Sequence, residues 1–190
     1  VHATEAFVAK KSNPMAKIFA KEGFKLVFEN VLLLIDQLDN IELREKVMYG
    51  AFLSAIALMN SGTGPAAAMS YPLGVHFGVP HGIGGGIFLP HVIQHNIDNG
   101  FFDYGKLYKA EGNINSKESG ATLFIDKIWD TWKRLQISQN LGDFGMRKND
   151  IALFVSDVMD LGGALDQNPL PFKEQEISKI LIKLLIKSHK

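Results

Sequence analysis

The chain contains 190 residues, no cysteine, and equal numbers of basic and acidic side chains, with 20 lysines and arginines against 20 aspartates and glutamates. This composition excludes a disulfide scaffold, a zinc ribbon and thiol catalysis, and it provides no net positive charge to attract nucleic acid or an anionic membrane. The length suits one domain with a sizeable core. No apolar run reaches the roughly 18 to 20 residues of a membrane helix, and the first residues do not resemble a signal peptide. Because the chain also lacks cysteine, we expect a cytoplasmic protein, and its balanced charge favours small neutral or weakly charged ligands.

Apolar residues recur at helical spacing in almost every segment, and this periodicity predicts one all-α domain over residues 1–190. An amphipathic helix opens the chain without an initiator methionine, so we expect the natural N-terminus to lie upstream. Further helices are predicted to begin at Pro14 and to cover approximately residues 41–59, 82–97, 117–135, 149–161 and 173–186. Glycine and proline residues predict breaks at 13–14, 62–64, 72–80, 112 and 162–163.

Two glycine-containing segments invite a phosphate-binding interpretation. The segment "HGIGGGIF" (residues 81–88) contains four glycines, and "SGTGP" (residues 61–65) precedes a predicted helix. A dinucleotide-binding fingerprint requires a preceding strand, and a P-loop requires a lysine after its last glycine, and neither feature accompanies these segments. We therefore predict close helix packing at residues 81–88 and a helix break at residues 61–65.

The histidines differ in their sequence surroundings. His91 and His95 are four residues apart, a spacing at which two imidazoles can share a metal, but their apolar surroundings favour structural roles. His81 stands between a proline and a glycine at a predicted helix start, from which its side chain can project into a cleft. His2 lies on the first predicted helix, three residues before Glu5.

Three motifs, taken in order, give the chain a family resemblance. They are "HATEAF" with the "NP" that follows it, the central "PLGVHFGVPHGIGGGIFLPHV" completed by Asn96, and "NPLPFKEQEISKIL" near the C-terminus. Their order and spacing resemble the C-terminal helical domain of the iron-containing alcohol dehydrogenases, in the dehydroquinate synthase-like superfamily. The resemblance implies hydride transfer between an alcohol or aldehyde and NAD(P). It also implies that the cofactor binds a separate N-terminal α/β domain outside these residues, so the cofactor-binding residues are unknown.

The resemblance further implies a divalent metal, iron or zinc, that polarises the alcohol oxygen. The family ligands are an aspartate, a histidine four residues later, and two histidines of the central region. His2 matches the first of these histidines, which places the aspartate upstream of Val1, and His81 matches the last. The remaining ligand position holds Ala67, and a further active-site histidine position, four residues later, holds Tyr71.

These two departures leave three interpretations open. The aspartate, His2 and His81 would give a full-length enzyme three protein ligands, enough for a catalytic zinc with an open position, and we favour this interpretation. His76 could instead turn inward as the missing imidazole or contact the substrate. The metal could also be lost, which would leave Tyr71 as a catalytic proton donor.

The leading function is the catalytic domain of a metal- and NAD(P)-dependent alcohol dehydrogenase. Because Tyr71 and His76 are expected in the cleft, we predict a polar substrate such as a sugar or sugar-acid alcohol. A dehydroquinate synthase-like lyase and a non-catalytic helical interaction module are the alternatives. We expect no dehydrogenase activity from the isolated chain and no nucleic-acid or membrane partner, and the composition does not exclude a homodimer.

Overall fold

The computed structural model describes residues 1–108 and 116–186, and within these ranges it contains nine α-helices and no β-strand. The all-α prediction is confirmed, whereas the predicted break at residue 112 lies outside the described residues. Short 3₁₀ turns lie at Asp103–Lys106, Leu141–Phe144 and Lys148–Asp150. The helices are α1 His2–Val8, α2 Pro14–Asp36, α3 Ile41–Met59, α4 Pro65–Phe77, α5 His81–Asp98, α6 Lys117–Arg134, α7 Ile151–Met159, α8 Gly162–Leu165 and α9 Glu174–Ile186.

Side-chain caps explain where the two longest helices begin. The Asn13 side chain accepts a hydrogen bond from the Ala16 amide (3.0 Å), and Pro14 occupies the first helical position of α2. Asn40 caps α3 in the same way through the Leu43 amide (3.1 Å). Asparagine is a favoured N-cap because its oxygen satisfies an amide without a helical partner, and proline at the first position sacrifices no hydrogen bond. Local chemistry therefore fixes both of these predicted boundaries.

The predicted break over residues 72–80 is too long. Helix α4 continues through Pro72 to Phe77, after which Gly78 adopts a left-handed φ of 67°. A proline inside a helix removes one hydrogen-bond donor, but Pro72 is buried and α4 packs along α5, so tertiary packing keeps the helix intact. The corner between α4 and α5 therefore spans only residues 78–80. Residues 162–163, which were also predicted as a break, begin the short helix α8.

Two helical hairpins and a C-terminal group of helices form the core. Helices α2 and α3 make the most extensive pair, α4 and α5 form the second, and α1 packs against both α2 and α3. Helix α6 covers α5, α7 and α8 pack against α4, and α9 packs against α7. The first turns of α1, α4 and α5 meet between these layers, and this junction positions the candidate site. Among the described residues, none of the helices combines the length and the apolarity needed to cross a membrane.

Candidate metal and substrate site

A cavity of about 310 Å³ lies where the first turns of α1, α4 and α5 meet. His2, Ala67 and His81, which occupy the predicted metal-ligand positions, all line this cavity. Its walls are otherwise largely apolar and come from α2, α3, α5, α6 and the residue that follows α6, including Val27, Phe28, Val31, Leu89, Ile128 and Leu135. The fold thus brings the three predicted positions together from distant parts of the sequence.

His2 and His81 are the first residues of their helices, α1 and α5. Their ring centroids are 6.1 Å apart, and their ring planes are tilted by 48°. Burial lowers the pKa of His2, and the charge of His81 lowers it further. A lowered pKa favours the neutral imidazole, which is the form that binds a metal ion. Two imidazoles therefore line one cavity, and the lowered pKa of His2 favours its ligating form.

Ala67 contributes only a methyl group to the cavity. It is 3% exposed, and its side chain has no atom that can bind a metal. Within residues 1–108 and 116–186, no group of three or more histidine, cysteine, aspartate or glutamate side chains is arranged to hold an ion. Imidazole nitrogens suit both iron and zinc, so the donors fit a metal in kind, but a catalytic site requires about three protein ligands. The described part of the chain offers two.

Tyr71 and His76, both on α4, have different neighbours. The Tyr71 ring centroid lies 4.8 Å from that of His81, and the residue is 54% exposed. His76 Nε2 lies 2.5 Å from Asp157 Oδ2 of α7. In the described part of the chain, His76 and the cavity histidines do not form a group of three side chains that could hold a metal ion. Tyr71 therefore lies at the edge of the candidate site, whereas His76 links α4 to α7. The catalytic role of Tyr71 and the substrate contact of His76 stay predictions.

A buried carboxylate occupies the start of α4. Glu5 is 4% exposed, and its oxygens accept hydrogen bonds from the Thr63 hydroxyl (2.9 Å) and from the amides of Gly64 (2.9 Å) and Ala66 (2.7 Å). Burial raises the pKa of Glu5, and these three hydrogen bonds oppose the rise. The free amides at a helix start attract an anion, and here the anion is a side chain of the same protein. Residues 61–65 are therefore a helix break, as predicted, and the role of Glu5 is a feature that sequence reasoning missed.

The glycines of α5 permit close helix packing, as predicted. A Cβ atom placed on Gly84 would lie 3.0 Å from the Cβ atom of Ser70 in α4. A Cβ atom on Gly85 would lie 3.3 Å from a methyl group of Val1. Larger side chains at these positions would push α5 away from α4 and from the start of α1, so the glycines hold the cavity walls together.

His91 and His95 make contacts away from the cavity. His91 is 3% exposed, its Nε2 lies 3.1 Å from Gln139 Oε1, and its ring meets Trp129 edge to face at 5.3 Å. The His95 ring contacts Phe172 in the same manner at 5.2 Å. These contacts join α5 to α6 and to the segment before α9. They favour the structural roles predicted for this pair.

A buried polar network explains two parts of the sequence motifs. Asn96 is fully buried, and its amide donates to the Tyr104 hydroxyl (2.6 Å) and to Asn168 Oδ1 (2.9 Å). The Asn168 amide donates in return to Asn96 Oδ1 (2.8 Å) and to the Leu170 carbonyl (2.8 Å). Burial raises the pKa of Tyr104, so its phenol stays neutral. The network ties the end of α5 to the "NPLPF" segment. In the sequence, only the presence of Asn96 and Asn168 in the motifs pointed to it.

Known proteins share this sequence pattern. Residues 1–185 match the profile described as Fe-containing alcohol dehydrogenase family, C-terminal. The chain is 28% identical to 1,3-propanediol dehydrogenase of Citrobacter freundii, over 94% of this chain and 47% of that protein. It is 27% identical to 4-hydroxybutyrate dehydrogenase of Clostridium kluyveri, over 97% of this chain and 50% of that protein. The chain therefore spans about half the length of these relatives.

Solved structures share the fold. The crystal structure of 1,3-propanediol oxidoreductase matches with a TM-score of 0.88 and 27% identity, and the match covers 97% of this chain and 49% of that chain. An alcohol dehydrogenase from Oenococcus oeni, at 22% identity, has the same fold with a TM-score of 0.86. The family match favours the alcohol dehydrogenases over the predicted lyase alternative. The chain belongs to the Fe-containing alcohol dehydrogenase family and corresponds to the C-terminal helical domain of its members.

Proposed function

We propose that this chain is the C-terminal catalytic domain of a nicotinamide- and metal-dependent alcohol dehydrogenase, which interconverts an alcohol and an aldehyde by hydride transfer. The observation that carries the proposal is the convergence of His2 from α1 and His81 from α5 on one largely apolar cavity. Relatives named as 1,3-propanediol and 4-hydroxybutyrate dehydrogenases support it. The nicotinamide would bind outside these residues, so the isolated chain is inactive on this proposal. A cytoplasmic location, a homodimer and the lack of a nucleic-acid partner stay predictions from the sequence.

His2 and His81 are the residues of this chain that would hold the metal, together with the aspartate expected upstream. When bound, iron or zinc supplies Lewis-acid polarisation of the alcohol oxygen, which eases the loss of its proton. The chain's own contribution is to present two imidazoles and to surround the reacting carbon with apolar side chains that exclude water. Exclusion of water strengthens the electrostatic interactions inside the cavity.

The cavity lining supports an aliphatic substrate rather than the sugar or sugar-acid alcohol expected from the sequence. Most of the lining, such as Val27, Phe28 and Leu89, offers no hydrogen-bonding group, the Ser54 and Thr131 hydroxyls donate to backbone carbonyls, and His76 is hydrogen-bonded to Asp157. The several hydroxyls of a sugar would lose water on entry and gain few partners in return, which costs free energy. We therefore propose an aliphatic alcohol or aldehyde, for which a largely apolar cavity of about 310 Å³ has room.

A second, metal-independent mechanism would use Tyr71 as the proton donor. Two observations favour it: Ala67 supplies no ligand, and the Tyr71 ring lies 4.8 Å from His81. In this mechanism His81 would contact the substrate oxygen directly. The metal-dependent mechanism predicts the larger loss of activity for a change at His81, and the metal-independent mechanism predicts the larger loss for a change at Tyr71.

The test is the alcohol-dependent reduction of NAD(P)⁺ by the full-length protein that carries this domain, with 1-butanol and 1,3-propanediol as substrates. His81→Ala should remove bound metal and lower kcat/KM at least about 100-fold, because loss of a direct ligand exceeds the 10- to 100-fold effect of outer partners. Tyr71→Phe should lower kcat/KM by less than about tenfold. His95→Ala is the matched control, a histidine of the same helix that contacts Phe172, and it should change neither quantity.

Undiminished activity in His81→Ala would reject the metal mechanism. A larger loss from Tyr71→Phe than from His81→Ala would select the metal-independent mechanism. Turnover by the purified 190-residue chain would contradict its proposed inactivity. Absence of turnover in the full-length protein with every aliphatic alcohol and aldehyde tested would favour the non-catalytic interaction module.

A further inference from the structure

The hydrogen bonds around His81 determine which of its ring nitrogens carries the proton. His81 Nδ1 lies 2.7 Å from Ser70 Oγ, and Ser70 Oγ lies 2.6 Å from the Ala67 carbonyl oxygen. A serine hydroxyl has one proton, and a carbonyl oxygen can only accept. The Ser70 hydroxyl therefore donates to Ala67, and its oxygen accepts from the Nδ1–H group of His81. The other ring nitrogen of the neutral imidazole, Nε2, keeps its lone pair.

The reverse arrangement of protons is unfavourable. If Ser70 donated its proton to His81 Nδ1, the oxygens of Ser70 and Ala67 would face each other at 2.6 Å without a proton between them. Ser70 is 1% exposed, so solvent has little access to this contact. A buried contact between two acceptors costs free energy because neither oxygen recovers a hydrogen bond from the other.

Helix packing holds Ser70 at this distance from His81. Gly84, one turn after His81 in α5, lies against Ser70, and a Cβ atom placed on it would lie 3.0 Å from Ser70 Cβ and 3.3 Å from Ser70 Cα. The Tyr71 ring also contacts His81, with ring centroids 4.8 Å apart. The His81 ring is therefore held by a hydrogen bond at one nitrogen and by an aromatic neighbour.

We propose that Ser70 is a positioning residue that fixes His81 in the Nδ1–H tautomer, so that Nε2 is available to a divalent metal ion. The tautomer follows from contacts within this chain alone, whereas the use of Nε2 by a metal rests on the proposed function. A histidine that binds a metal ordinarily donates its second ring N–H group to a neighbouring acceptor, which fixes both ring orientation and tautomer. Here the acceptor is the oxygen of Ser70, whose hydroxyl donates its proton to the Ala67 carbonyl oxygen. Consecutive hydrogen bonds of this kind strengthen one another.

The test is nitrogen-15 NMR of the imidazole groups in the metal-free 190-residue protein at pH 8, followed by calorimetric titration with Co²⁺. The His81 signals are identified by their loss in His81→Gln. We expect the Nδ1–H tautomer in the wild-type protein. Ser70→Ala should shift His81 towards the Nε2–H tautomer and weaken Co²⁺ binding about 10- to 100-fold. Ser61→Ala is the matched control and should change neither readout, because Ser61 is also buried and donates to a backbone carbonyl, that of Ala57 (2.8 Å).

An Nε2–H tautomer in the wild-type protein would overturn the proposal, and this measurement does not depend on the folding of any variant. An unchanged tautomer in a folded Ser70→Ala protein, with circular dichroism as the check on folding, would also overturn it. If the tautomer responds to Ser70→Ala but the wild-type protein and its full-length form bind no Co²⁺, the positioning role holds and the proposed metal function fails. If Co²⁺ binds equally well with and without the Ser70 hydroxyl, the metal function holds and the positioning role fails.

Discussion

His2, Ala67 and His81 line the same cavity, although two of them carry imidazoles and the third carries only a methyl group. The resemblance to the family assigned these three residues to its metal-ligand positions, and the fold brings them to one cavity. Sequence reasoning did not predict the roles of Glu5 and Ser70. Glu5 accepts hydrogen bonds from amides about sixty residues away in the chain. Ser70 contacts His81 across the corner between α4 and α5, so neither contact leaves a local pattern in the sequence.

Ala67→His should place a third imidazole in the cavity. We expect it to raise the Co²⁺ affinity of the 190-residue protein by about tenfold or more, because two protein ligands are fewer than a stable site requires. The measurement is calorimetric titration of the metal-free protein. Val75→His is the matched control, because it adds a histidine to the same helix at a position that is 78% exposed. Equal Co²⁺ affinities in the two variants would contradict the placement of Ala67 at a ligand position.

The helices themselves follow from hydrophobic periodicity and from capping residues, and these local signals predicted most of the elements. The prediction for α3 agrees with the observed Ile41–Met59, where Asn40 supplies a cap. The prediction failed at Pro72, which was expected to end a helix. Packing of α4 along α5 compensates for the lost hydrogen bond, and a sequence pattern does not reveal such tertiary compensation.

The close contact between α4 and α5 predicts that alanine substitutions at two neighbouring glycines of α5 differ in their effect on stability. Gly84→Ala should be less stable than Gly82→Ala by about 1 to 3 kcal/mol, because a methyl group on Gly84 would overpack the contact with Ser70. Gly82 is the matched control, since nothing lies within 4 Å of the place that an alanine methyl group would take there, and alanine favours the helix by roughly 0.5 to 1 kcal/mol. The measurement is urea unfolding followed by circular dichroism. Equal unfolding free energies would show that α4 and α5 are not held at close contact by Gly84.

The described residues form a helical domain that lines a cavity with two imidazoles, and the chain spans about half the length of its relatives. The family and the fold were predicted from the sequence, and the metal-binding roles of His2 and His81 stay predictions. The character of the cavity could not be predicted from the sequence, because its largely apolar walls come from α2, α3, α5 and α6, whose relative placement is set by long-range packing. That placement changed the proposed substrate from a sugar alcohol to an aliphatic alcohol.

The central claim is that His2 and His81 jointly bind one metal ion in this cavity. The most direct measurement is an anomalous difference map at the cobalt absorption edge, from crystals of the full-length protein loaded with Co²⁺. We predict a single strong peak in the cavity, about 2.0 to 2.2 Å from a ring nitrogen of each histidine. A peak at another place, such as between His76 and Asp157, or a cavity without a peak in protein that carries bound cobalt, would contradict the claim.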